Sequence, residues 1–548
     1  VNNIGGGVAV SGCDLVLRGG TVYDGRGGAP FTADVGIVGD RVVAIGPGLT
    51  GREVLDVEGL AVAPGFINML SWANESLIAD PRGQSDVRQG VTCEVLGEGE
   101  SMGPLTEAMA ADLVAEQDGI HYPVTWRSLA GYLDHLAARG VAVNVASFVG
   151  ATTVRVHELG NEDRAPTPSE LERMCALVDE AMRQGAVGVC ASLIYAPASY
   201  AATEELIALA RVAARHGGLY AAHLRSETNR LLDAVDEHLR IARESGARAE
   251  IYHLKAAGRA NWDTLEEVIT RIEQARDDGV EVTADMYPYT AASTGLDAAM
   301  PPWVQEGGPE AWRARLADPD VAERVELEMR DPHAGWENLL LAAGADHVRF
   351  TQFRSDPLAR LTGRTLADVA RERRVSPERA AIELVREDGS RVGAAYELMS
   401  EQNLMRQLGL PWMSFCSDSP AFAPEGVFLR WKPHPRGYGA FARVLGHYVR
   451  QRSALTLPEA IRRLAALPAQ NLRLRDRGIL RAGAYADVAV FDPDTIADHA
   501  TFDDPHQYAT GMRHVLVNGV LVLRDEEHTG ALPGRVLHGP GAVHHSTP

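Results

Sequence analysis

Apolar and polar positions divide the chain into three stretches with different rhythms. Near the start, short β-branched runs at 14–17, 21–23, 35–38 and 41–45 are punctuated by Gly and Asp, with Gly39-Asp40 between the last two. Such runs predict short antiparallel strands joined by tight turns. The far end repeats the rhythm at 486–491 and 515–522, where Asn518-Gly519 splits two apolar runs and predicts a hairpin. Neither end holds enough strands to bury a sheet face alone. The two are therefore expected to pair into one small β-sandwich.

The middle alternates apolar strands with amphipathic helices. Strands are predicted at 143–149, 186–193, 218–224, 249–255, 280–289 and 411–418, and helices at 204–216, 229–244 and 262–277. Thr167-Pro168-Ser169-Glu170 is a helix start, with an N-cap, Pro in the first turn and Glu three residues on. Leu171, Met174, Cys175, Val178 and Met182 follow at helical spacing. Repeated strand–helix alternation predicts an α/β fold with a parallel sheet closed as a (β/α)₈ TIM barrel. The stretch 296–410 fits that repeat poorly; it reads as helical and charged, an insertion over one barrel face. The expected divisions are 13–63 and 472–540 for the two parts of the sandwich, and 64–471 for the barrel with its insertion.

Composition narrows the classes. Among 548 residues, 53 Lys+Arg against 74 Asp+Glu leave a formal charge of −21. That acid excess argues against a nucleic-acid partner, because phosphate contacts need clustered cations. No apolar run approaches the ~18 residues that span a bilayer, so no membrane partner is expected. The Gly-rich start lacks a basic region and a long apolar run, so no signal peptide is predicted. Five scattered cysteines, Cys13, Cys93, Cys175, Cys190 and Cys416, do not make a disulfide framework and suit a reducing cytoplasm. Nothing in the pattern selects an oligomeric state.

Functional groups of such barrels sit at the C-terminal ends of strands. His223 ends the run Leu219 to His223, and His253 follows Glu250-Ile251-Tyr252. Lys255 lies two residues further, on the same face if the strand persists. Asp418 ends Met413 to Asp418. Two imidazoles and a carboxylate from three strand ends can converge on one divalent ion, and they suit Zn²⁺. Each histidine taken alone reads more readily as a hydrogen-bonded core residue; their joint placement with Asp418 at three strand ends turns the reading toward a metal.

Several short segments, in order, resemble a known family. They are Pro64-Gly65-Phe66-Ile67, His223-Leu224-Arg225-Ser226-Glu227, His253-Leu254-Lys255-Ala256-Ala257-Gly258 and Asp285-Met286-Tyr287-Pro288-Tyr289, then Ser417-Asp418, His434-Pro435-Arg436 and Gly483 to Val488. Over roughly 13–540 the chain resembles the amidohydrolase superfamily, in its D-aminoacylase (N-acyl-D-amino-acid deacylase) branch. The resemblance implies a metal-dependent barrel with a split sandwich, hydrolysing the amide of N-acyl D-amino acids or related D-configured or cyclic amides. An amide-forming or acyl-transfer enzyme on the same fold, or a non-catalytic relic, is the alternative.

Three departures from the family matter. Its first-strand His-x-His positions hold Leu70 and Trp72 here, which implies that the more buried metal position is missing. Its ligand cysteine has no counterpart: Gly90-Val91-Thr92 leads to Gly97-Glu98-Gly99-Glu100, and Cys93 lies on the strand before that turn. Its frequent Gly-His is Gly150-Ala151. The implied site is then one Zn²⁺ per chain held by His223, His253 and Glu98, with Glu100 as the alternative carboxylate and Asp418 as general base. Both glutamates also read as an exposed acidic turn. Arg436 matches the residue that pairs with a substrate carboxylate, and Lys255, Tyr287 and Ser293 match further pocket positions of a small-molecule site; Tyr195, at the strand end Leu193-Ile194-Tyr195, is a further candidate substrate contact. Arg436 could instead be a surface ion pair, and Tyr287 core packing before Pro288.

Overall fold

The structure, a computed structural model, describes residues 11–333 and 335–543. Strands from the early and late parts of the described chain meet in one sheet. The strand Ser11–Val22 is long enough to serve three neighbours. It pairs antiparallel with Phe31–Val38 on one edge. On the other it runs parallel to Thr50–Asp56 with its first part and to Ala61–Pro64 with its last two residues. Val488–Phe491 then lies antiparallel against Ala61–Pro64, Val488 opposite Pro64 and Phe491 opposite Ala61. Met512–Val517 and Val520–Arg524 extend the sheet. Their turn is made by Asn518 (φ 50°) and Gly519 (φ 81°), the two left-handed residues that a tight hairpin of matching twist needs. Alternate residues from both ends fill one core: Leu15, Leu17, Val35 and Ile37 from the start, Val488, Val490 and Leu516 from the finish.

The barrel strands are Phe66–Asn68, Val91–Leu96, Asn144–Ser147, Gly188–Ser192, Leu219–His223, Arg248–Ile251, Val282–Met286 and Met413–Phe415. Neighbours within the ladders run parallel. Nearly every residue in them is buried, as expected of strands covered by helices outside and side chains inside. Closure between the eighth strand and the first is made just above their ends. Asp418 N–H donates to Leu70 O (3.0 Å), and Trp72 N–H to Ser419 O (3.1 Å). The Asn68 side chain completes the seam, donating to Ser417 Oγ (2.7 Å) and accepting from Ser417 N–H (2.8 Å). The covering helices include Pro168–Gln184, begun by the Thr167–Glu170 capping box, and Thr203–Arg215, Leu231–Ser245 and Leu265–Asp277. Among the described residues no helix is long and apolar enough to cross a membrane.

Two expectations are corrected. The sixth and eighth strands stop at Ile251 and Phe415, so His253 and Asp418 lie beyond them rather than on them. Both have left-handed backbone, φ 35° and 48°, which no regular strand accommodates. The stretch after 296, read as helical, carries two strands as well. Val348–Gln352 and Gly393–Glu397 pair antiparallel, and Ala291–Gly295, immediately after the seventh barrel strand, joins the second of them. Short helices such as Pro377–Asp388 surround this small sheet.

The shared sandwich core gives a direct test. Leu516 is fully buried against residues of both chain ends. Leu516→Ala should cost about 3 kcal/mol through lost apolar contact and the cavity left behind. Urea unfolding followed by circular dichroism should show that loss as a lower midpoint at unchanged slope.

Candidate metal centre and active site

Glu98 reaches the barrel mouth on a turn that only glycine permits. Gly97 (φ 97°) and Gly99 (φ 66°) flank it. A Cβ on Gly97 would stand 2.5 Å from Phe148 O, and one on Gly99 2.4 Å from Ser192 Cβ. The turn thus lies hard against the third and fourth strands. Gly150, at the third departure, serves the same contact: a Cβ there would meet Gly99 O at 2.3 Å.

The Glu98 carboxylate sits between the two histidines. Its Oε1 is 3.3 Å from His223 Nδ1 and 3.2 Å from His253 Nε2. One donor atom from each of the three lies within 4.8 Å of the others, and all three residues are buried. Glu100 is exposed and outside this group. Burial pushes the Glu98 carboxyl up, but hydrogen bonds and charge from His223 and His253 outweigh it and hold it well below the usual carboxylate range. Asp418 is likewise not in the group. Strand ends alone had suggested it as a ligand, whereas the carboxylate that meets the histidines comes from the second strand's turn.

Behind the histidines lies Glu227, which the sequence reading did not single out. Its Oε1 is 3.0 Å from His253 Nδ1, and its Oε2 3.6 Å from His223 Nε2. Lys255 Nζ donates to Glu227 Oε1 at 2.6 Å and approaches His253 Nδ1 at 2.8 Å. Burial and Lys255 oppose a charge on His253, but Glu227 and Glu98 prevail and push its pKa up to about 10. The spacing of four residues from His223 was the available signal for Glu227. It did not say that the loop after the fifth strand would fold back, and that fold depends on a partner from the insertion. The buried Glu337 accepts from Ser226 Oγ (2.7 Å), Thr228 Oγ1 (2.9 Å) and Glu227 N–H (3.0 Å).

Asp418 stands on the other side of Glu98. Its Oδ2 pairs with Arg436 Nη1 at 2.7 Å, both side chains almost wholly buried. Its Oδ1 receives the indole N–H of Trp72 at 3.2 Å, and the same N–H reaches Glu98 Oε2 at 2.9 Å. Burial raises the Asp418 pKa; Arg436 and His253 oppose that rise without cancelling it. The Arg436 guanidinium lies 4.5 Å above the Tyr287 ring, so Tyr287 faces the site, with its hydroxyl buried and unpartnered.

The remaining expected contacts are partly engaged already. Ser293 lends Arg436 its carbonyl (3.4 Å from Nη2), while its hydroxyl donates to Ala394 O across the insertion sheet (3.2 Å). The Tyr195 ring packs edge-on against His223, centroids 5.5 Å apart, and its hydroxyl meets Thr294 Oγ1 at 2.8 Å. The structure therefore gathers His223, His253, Glu98, Lys255, Asp418, Arg436, Tyr287 and Tyr195 around one point, and brings Ser293 there through its backbone.

Comparison with known proteins identifies the family. An amidohydrolase family model matches residues 53–523. A D-aminoacylase of Alcaligenes xylosoxydans xylosoxydans is 35% identical over 530 residues, covering 96% of this chain and 97% of that protein. The crystal structure of N-acyl-D-glutamate deacylase from Bordetella bronchiseptica, complexed with zinc and a phosphonate mimic of the tetrahedral intermediate, superposes with a TM-score of 0.80 at 33% identity, covering 96% of this chain and 100% of the other. A D-aminoacylase structure, whose binuclear metal centre is described as activated by one metal and attenuated by the second, gives 0.79 at 34% identity, with 96% and 100% coverage. The chain belongs to the amidohydrolase family, in the branch of D-aminoacylases and N-acyl-D-amino-acid deacylases, hydrolases of carbon–nitrogen bonds other than peptide bonds.

Proposed function

We propose that the chain hydrolyses the amide bond of N-acyl D-amino acids with one divalent ion, zinc by preference, bound by Glu98, His223 and His253. The observation that carries this reading is the buried three-donor group beside an Asp418–Arg436 pair. Two imidazoles and one carboxylate fit zinc, and three protein donors leave a position free for chemistry. The zinc-bound deacylase and the D-aminoacylase above support both the metal and the D-configured substrate.

When bound, the ion would supply Lewis acidity to the amide carbonyl and acidify a water. The protein's own groups do the rest. Glu227 and Lys255 hold His253 from behind, the outer contact that orients a ligating imidazole. Arg436 presents a planar fork that suits a carboxylate. At rest one nitrogen of that fork, Nη1, lies 2.7 Å from Asp418 Oδ2, while the buried Nε has no partner. A substrate carboxylate that draws Arg436 to itself leaves Oδ2 free to accept the water proton and return it to the departing amine. The Tyr287 ring under the guanidinium, and the Ser293 carbonyl beside it, keep Arg436 at the site through that exchange.

Three measurements test this. Elemental analysis of zinc-loaded, desalted protein should give one ion per chain; Glu98→Ala should lose most of it and Glu100→Ala should keep it. Asp418→Asn should lower kcat by ~10²–10⁴-fold with the metal retained, the usual contribution of a positioned proton carrier. Arg436→Met should weaken N-acyl D-amino acids by ~2 kcal/mol or more, as expected on losing a desolvated charge pair. Because Asp418 also loses its partner, turnover of the corresponding carboxamide should fall too, but less, so the preference for the free acid over the carboxamide should shrink. If loaded protein with Asp418 intact turns over no N-acyl amino acid, amide synthesis or acyl transfer on this fold replaces hydrolysis.

A further inference from the structure

Trp72 occupies the second of the two positions where the family resemblance expects first-strand histidines. Its neighbour there, Leu70, is fully buried and offers no ligand atom. The Trp72 side chain is half-buried, and its indole N–H does something a space-filling residue would not. It reaches Glu98 Oε2 at 2.9 Å and Asp418 Oδ1 at 3.2 Å. Two buried carboxylates that share a site repel, and one of them ordinarily takes up a proton. A donor between the two oxygens lowers that cost, and so would a cation.

The backbone fixes the indole relative to both acids. Trp72 N–H bonds Ser419 O at 3.1 Å, and Asp418 N–H bonds Leu70 O at 3.0 Å. The segments carrying Trp72 and Asp418 are therefore laced together on both sides of the site. Glu98 is fixed from its other oxygen, where the histidines and Ser192 Oγ (3.3 Å) converge on Oε1. Each carboxylate thus has one oxygen turned to Trp72 and one turned to its working partner.

We infer that Trp72 stands in for a second cation. Its N–H bridges Glu98 and Asp418, holding Asp418 so that Oδ2, the oxygen paired with Arg436, is the one that handles the proton. Its ring and Leu70 together close the position to a further ion. The chain then keeps a single metal in excess zinc, unlike the D-aminoacylase described as attenuated by its second metal. Trp72 is a positioning residue. The inference rests on the metal site proposed above but not on the identity of the substrate.

The experiment has a metal arm and a kinetic arm. After incubation with excess zinc and desalting, the parent enzyme should hold one ion per chain by elemental analysis, and the double variant Leu70→His, Trp72→His should hold two. Activity of the parent should stay flat as zinc is added beyond one equivalent. Trp72→Phe keeps an aromatic ring and removes the donor. It should retain one ion and its KM while kcat falls about 10- to 100-fold, the usual loss on removing an outer contact of a metal site. Trp72→Gln, which restores an N–H, should recover part of that loss. A parent enzyme that holds two ions, a double variant that stays at one, or a Trp72→Phe enzyme with unchanged kcat would each overturn the inference. If no N-acyl amino acid proves to be a substrate, the ion counts still decide it.

Discussion

The arrangement turns on one buried anion. Glu98 is almost completely removed from solvent, and an isolated carboxylate there would be far too costly to keep ionised. It stays charged because four strand-end segments each supply a group that faces it: Trp72 after the first strand, Ser192 at the end of the fourth, His223 at the end of the fifth and His253 after the sixth. The same pairing logic spreads outward. Glu227 is balanced by Lys255 and the histidines, and Asp418 by Arg436. Buried pairs of this kind add little net stability, but removing one partner is expensive, so they specify position. The site is in that sense a lattice of alternating charge laid across the barrel mouth.

The backbone contributes strain to the same end. His253 and Asp418 adopt left-handed conformations that cost of order 1–3 kcal/mol each for non-glycine residues. Each is held there by a specific bond: His253 N–H to Asp285 Oδ1 at 2.7 Å, and Asp418 N–H to Leu70 O at 3.0 Å. Asp285 is itself buried on the seventh strand, and burial pushes its pKa up to about 7. Neighbouring strands thus meet the cost of aiming each side chain.

Much of this was legible in the residues. Strand–helix alternation identified the barrel, and β-branched runs with Asn518-Gly519 identified a sandwich built from both ends, because those signals are local and periodic. His223, His253 and Asp418 stood out as polar ends of apolar runs, and Gly97-Glu98-Gly99 as a turn where a cysteine was missing. What stayed hidden depends on contacts between distant segments. Glu227 sits in the site on a loop that Glu337, from the insertion, helps to tie down. Trp72 reads as an apolar filler; its single donor matters only once Glu98 and Asp418 are on either side. The premature ends of the sixth and eighth strands carried no mark in their composition, since left-handed His and Asp leave no periodic trace. The insertion's small sheet was obscured because its strands are separated by several short helices.

The two-ended sandwich has a consequence for how the molecule is made. Arg41 bonds the Gly483 carbonyl across 442 residues of chain, and Ala61–Pro64 finds its edge partner only at Val488–Phe491. During synthesis the early strands therefore leave the ribosome long before the strands that cover them. Throughout that interval Ala61–Pro64 presents an unpaired edge, and Leu15, Leu17, Val35 and Ile37 an incomplete core, the kind of surface that recruits chaperones or pairs wrongly with a neighbouring nascent chain. The barrel must assemble while tethered to this waiting half-sheet, and arrival of the last strands locks both units at once.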